Sequence, residues 1–343
     1  MKPVYLINFT IGDGTLNLGD QIVRESINEI LFRLFGNEEN VVVLNFSSHQ
    51  PLSCVHRRFI NVLRRNSIKM VFTLSGGNAF HFGYTPFAFF NQWSISFLDV
   101  IYVRDVILFG AGTSTPLRVT HPKSDIMIIY SKYFWRKILN NEFIHAVRDE
   151  ESKRLLISLG FNNVKNLGCP SLWKLNQEHI RYIPKQKADA VVMTLNSLYP
   201  SKKDVKLVEL LSDIYRDVYF WPQGYTDIYY IKLINSRISK PIKIIPPNLD
   251  AYDNFMKIQD VDYVGVRVHA GIRALHHKKR SIIIAIDHRA LSWNKSFGLP
   301  TISREKVELL QDIIINPIEV NIKIPEAEVK EYLIAFKRYV LGR

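Results

Sequence analysis

Short apolar runs, each too brief for a buried helix, recur along this chain, and stretches of helical period separate them. In the first half they read "PVYLINF", "NVVVLNF", "IKMVFTLSGG", "VILFGAG" and "EFIHAVRD". Between or after them, "DQIVRESINEILFRLF", "HRRFINVLRRN", "SKYFWRKILN" and "DEESKRLLISLG" carry apolar residues at helical spacing. A strand that is apolar on both faces must be covered on both, and intervening helices do this over a parallel sheet. Asp20 stands where a helix N-cap belongs, and Gly36 and Gly160 stand where helices stop.

The pattern lapses around residues 174 to 188, in the polar and basic "KLNQEHIRYIPKQK", which reads as a linker. It restarts with "ADAVVMTLN", "DVYFWPQG", "PIKIIP", "VDYVGVRV" and "SIIIAID", each followed by a helical stretch except the last. The expected fold is α/β: two Rossmann-like, doubly wound parallel-sheet domains facing a cleft, a GT-B-like layout. Residues 1–178 form the first domain, on the acceptor side, and residues 186–322 the second, on the donor side. Residues 323–343 are expected to form a C-terminal helix that packs back on the first domain.

A net charge of +13 over 343 residues calls for an anionic partner or substrate. Basic clusters occur at "RRFINVLRR" (57–65) and "HHKKR" (276–280), with no arginine-rich tail and no zinc-finger spacing, so nucleic acid is not the expected partner. Two cysteines, Cys54 and Cys169, make no disulfide framework and no CxxC pair. The opening "MKPVYLINFT" is too short an apolar run for a secretory signal, and no stretch approaches the roughly 18 apolar residues of a membrane span. These features suggest a cytoplasmic protein whose basic charge suits the inner face of a membrane.

In open parallel sheets ligands bind beyond the carboxyl ends of strands, so residues just after strands carry the functional information. After the first comes "TIGDGTLNLGDQIV", with Gly12, Gly14 and Gly19 in the loop and Asn17 and Asp20 at a helix mouth. Helix capping and substrate binding both fit this segment. It has neither the GxGxxG spacing nor a Walker A lysine. After the third strand, Gly76 and Gly77 let a backbone approach a ligand that Asn78 and His81 contact, or they make a tight turn. Thr113 and Ser114 follow the fourth strand as hydrogen-bond donors.

Arg148 follows an apolar run directly, and Asp149, Glu150 and Glu151 open the next helix, where acids suit the dipole. A strand-end arginine is suited to grip phosphate or carboxylate. In "GVRVHAGIRAL", Arg267 and His269 stand where a strand hands over to a helix. If the strand continues, they share one face; if the helix starts there, its free N–H groups join them. The following "RALHHKKR" reads as a solvated basic face. Gln223, Gly224 and Asp227 follow "DVYFW", and Asp287 follows "SIIIAI"; turn chemistry competes with binding at each, and for Asp227 it is preferred. There is no GxSxG elbow, HExxH or His/Cys metal cluster.

The ordered set "NLGDQIV", "SGGNAF", "VRDEESKRLLISLG", "GCPSLW" and "VRVHAGIRAL…SIIIAID" resembles the polysaccharide pyruvyl transferase family. That resemblance implies transfer of pyruvate from phosphoenolpyruvate to a sugar of a surface polysaccharide precursor, as a ketal, with release of phosphate. It implies donor binding by Arg148, Arg267, Val268 and His269, with His269 as acid/base. Asn17, Asp20, Gly76, Gly77, Asn78, Gln223 and Asp287 are the acceptor or loop candidates. No metal or cofactor is implied beyond phosphoenolpyruvate as co-substrate; the acceptor is a saccharide, free or carried on a lipid. Two rival readings are a GT-B glycosyltransferase that uses a nucleotide sugar and a non-catalytic basic binding protein.

Overall fold

A computed structural model describes residues 2–78, 93–113, 125–235 and 240–342, with only the backbone of 125–128. The chain divides into two compact units. Met1–Thr15, Val23–Pro170 and Pro325–Arg343 make the first; Leu16–Ile22 and Ser171–Ile324 make the second.

The first unit holds β1 (Val4–Thr10), α1 (Leu18–Phe35), β2 (Val41–Ser47), α2 (Cys54–Arg65), β3 (Lys69–Ser75) and a 3-10 turn (Phe97–Ile101). It continues with β4 (Ile107–Ala111), α3 (Asp125–Ile138), β5 (His145–Val147), α4 (Glu150–Ser158) and β6 (Val164–Asn166). The first turn of α1 belongs with the second unit. The strands pair in parallel in the order β2-β1-β3-β4-β5-β6. Every residue of β4 and β5 is buried, as an unbroken apolar run in a doubly covered sheet requires. α4 starts where its acids predict: Asp149 is its N-cap and accepts from Ser152 N at 2.7 Å. It ends before Gly160, and α1 ends before Gly36, as expected.

The second unit holds α5 (Gln177–Ile180), β7 (Ala190–Thr194), α6 (Lys202–Ile214), β8 (Asp217–Phe220), α7 (Tyr225–Asn235), β9 (Lys243–Ile244) and α8 (Leu249–Ile258). β10 (Val261–Gly265), α9 (Val268–His276), β11 (Ser281–Ala285), α10 (His288–Phe297), β12 (Thr301–Ser303) and α11 (Leu310–Ile315) follow. Its parallel sheet runs β12-β11-β10-β7-β8-β9. α5 lies inside the polar stretch around 174–188. The last helix, α12 (Glu326–Leu341), packs in the first unit: Tyr332 and Phe336 meet Phe109, and Tyr332 Oη donates to Leu108 O at 3.1 Å. Two doubly wound α/β units are thus present, as the alternating pattern predicts.

The run "RALHHKKR" is not a solvated face. Arg273 and His277 both bind Asp253, His276 Nε2 meets Ser171 O at 2.7 Å, and buried Arg280 reaches Asp262 at 3.0 Å. A buried carboxylate such as Asp262 needs a counter-charge, and the basic run supplies it.

Candidate active site

In the second unit, β7 lies between β8 and β10, so the connections leave β7 in opposite directions. Such a reversal opens a crevice at the carboxyl ends of the strands. The segments that follow β7, β8 and β10 carry Leu195, Gln223 and Arg267 into it.

β10 stops at Gly265 and α9 starts at Val268, so of the two geometries the sequence allows, the helix is the one formed. Arg267 is the N-cap residue, but its side chain makes no capping hydrogen bond. Its own N–H goes to Thr194 Oγ1 (3.2 Å), and its carbonyl accepts from Tyr263 Oη (2.8 Å). The guanidinium is held twice: Nε donates to Leu195 O at 3.1 Å, and Nη2 donates to Asp227 Oδ2 at 2.6 Å. Among the described residues its Nη1 makes no hydrogen bond, so one edge of a fixed cation remains for an incoming anion.

Asp227 is wholly buried in the first turn of α7. Its Oδ2 also accepts from Gly224 N (2.9 Å) and Gln223 N (3.3 Å), and its Oδ1 accepts from Ser197 N (3.0 Å) and Ser197 Oγ (2.8 Å). Turn chemistry, the preferred reading of Asp227, is correct but incomplete. The same carboxylate ties the loops after β7 and β8 to Arg267.

His269 is buried in the first turn of α9, with its ring 5.8 Å from that of buried Trp293. The first turn of α1 comes close to it. A methyl group on Gly19 would lie 3.3 Å from Gln223 Oε1 and 3.6 Å from His269 Nδ1. Leu18 N donates to Gln223 O at 3.3 Å. Gln223 is 2% exposed, and its Nε2 has no partner among the described residues. The first turns of α1 and α9, the His269 imidazole and the Gln223 amide therefore meet, and Asp227 ties the Arg267 guanidinium to the Gln223–Gly224 backbone. Chemically, such an arrangement suits an anion and has an imidazole able to move protons.

Asp20 is not the cap expected of it. α1 begins at Leu18, Asn17 Oδ1 accepts from Gly19 N at 3.1 Å, and Asp20 falls in the first turn. The cause is that Asn17 caps three residues earlier. Val268 is the first residue of α9 and partly buried. Asp287 is the N-cap of α10, accepting from Arg289 N at 2.9 Å and pairing with Arg289 Nη2 at 2.7 Å. Burial works to raise its pKa, but the Arg289 guanidinium overcomes this and holds it below the ordinary value.

Arg148, Asn78 and Thr113 gather in the first unit. Arg148 is 1% exposed; its Nη2 binds Asn78 Oδ1 and donates to Thr113 O at 3.3 Å, while Nε reaches Asp149 at 3.4 Å. A methyl on Gly112 would overlap this side chain. Gly76 and Gly77 both have positive φ, and added methyls would strike Val23 and Ile11 at 2.7 and 2.5 Å, so packing of the turn accounts for both. His81 and Ser114 lie outside the described residues.

Sequence reasoning passed over Thr194, Tyr263 and Trp293, which sit in apolar or helical runs and carry no signal of their own. Among the described residues no group of three His, Cys, Asp or Glu side chains could hold a metal, and no helix is long and apolar enough to cross a membrane.

No curated protein matches the sequence. Among solved structures, the fold is similar to UDP-GlcNAc 2-epimerase from Methanocaldococcus jannaschii in complex with UDP-GlcNAc and UDP. The TM-score is 0.53 and the identity 12%, over 98% of this chain and 100% of that one. It is also similar to MnaA from S. aureus, in a co-structure with UDP, with TM-score 0.52 and 11% identity over 100% of this chain and 98% of that one. At such identity the likeness is one of fold, GT-B-like as the alternating pattern leads one to expect. The Polysaccharide pyruvyl transferase family profile matches residues 17–288, which takes in Asn17, Arg148, Arg267 and His269 alike. The chain belongs to the polysaccharide pyruvyl transferase family.

Proposed function

We propose that the protein transfers pyruvate from phosphoenolpyruvate to a saccharide as a ketal, and that Arg267 holds the donor while His269 moves protons beside it. The convergence of Arg267, His269 and Gln223 at the first turns of α1 and α9 carries this reading. Phosphoenolpyruvate has a carboxylate and a phosphate, and a guanidinium edge with helix N–H groups matches such anions. The acceptor hydroxyl adds to C2 of the enol while C3 takes a proton, giving a tetrahedral phosphate-bearing ketal. Phosphate leaves with the C–O bonding pair, and a second hydroxyl closes the ring and gives up its proton. His269 is the acid/base for these transfers, a role worth about 10²–10⁴-fold in rate. Gln223 Nε2 is a donor for an oxygen of the bound substrates. Arg148 is proposed separately as a donor-binding residue, on the family resemblance and its guanidinium alone.

The test is pyruvate transfer to a panel of sugar acceptors, read as phosphate release that requires both substrates. Release with no dependence on phosphoenolpyruvate, or transfer from a UDP-sugar in its place, would overturn the reading.

A further inference from the structure

We propose that the face built by α2, the 3-10 turn Phe97–Ile101 and α3 docks on an anionic membrane surface. These three elements form one continuous surface. Arg57 bridges α2 to the turn through Asp99, with Nη2 at 2.9 Å and Nε at 3.1 Å. Arg64 Nη2 donates to Tyr102 O at 3.0 Å, and the Phe97 ring stacks on Tyr133 of α3 at 5.6 Å.

Large apolar side chains stand out from this surface. Leu98 is 76% exposed and Val55 75%, with Val62, Ile101 and Tyr133 also exposed. A cluster of this kind on a folded unit marks an interaction site. Basic residues predominate around it, although Asp105 is exposed just beyond the turn and lines a neighbouring groove with Arg64, Arg104 and Glu142. α2 contains four arginines and no acid. Beside it runs a groove of about 490 Å³ lined by Cys54, Arg57, Arg58, Asn61, Val62, Arg65 and Tyr102, again with no acid. Asp99 is 1% exposed and pairs with Arg57, which leaves Arg58, Arg64 and Arg65 as the net positive charge of α2.

Aliphatic groups that project between arginines suit a bilayer: the apolar side chains enter the headgroup boundary, and the guanidinium groups meet lipid phosphates. A nucleic acid would satisfy the arginines but leave Leu98 and Val55 in water. The inference is independent of the donor assignment, because none of its residues is assigned to the donor.

The experiment is flotation of the full chain with phosphatidylcholine vesicles, with and without phosphatidylglycerol, at low salt. The protein should float only with the anionic vesicles. Arg58→Gln with Arg65→Gln should weaken partition about 25-fold, at about fivefold for each arginine removed near such a surface. Val55→Ser with Leu98→Ser should also weaken it. All four positions are exposed, and circular dichroism should show both variants folded. Absence of flotation with anionic vesicles, or equal flotation of both variants and wild type, would overturn the proposal. So would a duplex DNA that binds where vesicles do not, or a dimer that Leu98→Ser dissolves. Partition is read without turnover, so it stands or falls separately from the donor reading.

Discussion

Asp227 and Arg267 stand 2.6 Å apart, Oδ2 to Nη2, with the carboxylate wholly buried and the guanidinium side chain 14% exposed. Removing one partner of a buried pair leaves an uncompensated charge and costs about 3–5 kcal/mol. Asp227→Ala should lose that much in urea unfolding, since Ser197, Gln223 and Gly224 lose their acceptor as well. Asp227→Asn keeps the size and one acceptor oxygen, so it should fold with a smaller loss yet bind the donor less tightly. A KM that rises more than kcat falls would mark Asp227 as a positioning residue. Unchanged KM in a folded Asn variant would limit it to a structural role.

Gly19 separates activity from stability. The added methyl of Gly19→Ala is crowded only by side-chain oxygens, Asn17 Oδ1 at 3.2 Å and Gln223 Oε1 at 3.3 Å. Alanine also suits a helix, so the variant should fold with little change in its unfolding midpoint. Its new methyl lies 3.3 Å from Gln223 Oε1, which crowds the spot beside His269. Turnover should drop clearly while the melting curve does not. Full activity would show that nothing binds at the first turn of α1.

Loss of the imidazole at His269 should leave donor affinity nearly intact and lower turnover by about 10²–10⁴-fold. Near-normal turnover in His269→Ala would remove the acid/base from the mechanism.

Much of this arrangement is legible in the sequence, for physical reasons that differ from residue to residue. Apolar runs such as "SIIIA" require cover on both faces, so the two parallel sheets follow from them. Arg267 and His269 stand out because a core has no use for a cation and an imidazole at a strand end. Asp227 does not stand out. Its partner lies 40 residues away, and only the order of β10, β7 and β8 brings the two together. Gly19 looks like any loop glycine until Gln223 and His269 are placed against it. The run "RALHHKKR" misleads for the same reason, because Asp253, Asp262 and the Ser171 carbonyl that neutralise it are remote in sequence.

Two histidines, His145 buried and His276 partly buried, make the fold sensitive to acid. Burial brings His145 from 6.5 down to about 4, against the Asn140 carbonyl bond, and brings His276 from 6.5 to about 3, against the Ser171 carbonyl bond. His145 accepts from Leu108 N at Nδ1 (3.2 Å) and meets Asn140 O at Nε2 (2.7 Å), an arrangement for the neutral ring. The unfolded chain binds these protons more tightly, so stability rises with pH. It is complete above about 6.5 and is lost as pH falls from there toward the folded values. Each ring should cost roughly 2 kcal/mol by about pH 5. Thermal melts between neutral pH and pH 5 should show this fall, and His276→Gln should reduce it. An unchanged slope in that variant would show that the ring does not titrate as its burial requires.

Arg267 is proposed to hold phosphoenolpyruvate in the crevice of the second unit. Calorimetric titration of phosphoenolpyruvate into wild type, Arg267→Ala and His269→Ala tests it most directly, with each variant first shown to be folded. Wild type should bind, His269→Ala should bind nearly as well, and Arg267→Ala should bind about 10- to 100-fold more weakly, the cost of a lost charged hydrogen bond. Equal affinity in wild type and Arg267→Ala, or a UDP-sugar that binds where phosphoenolpyruvate does not, would contradict it.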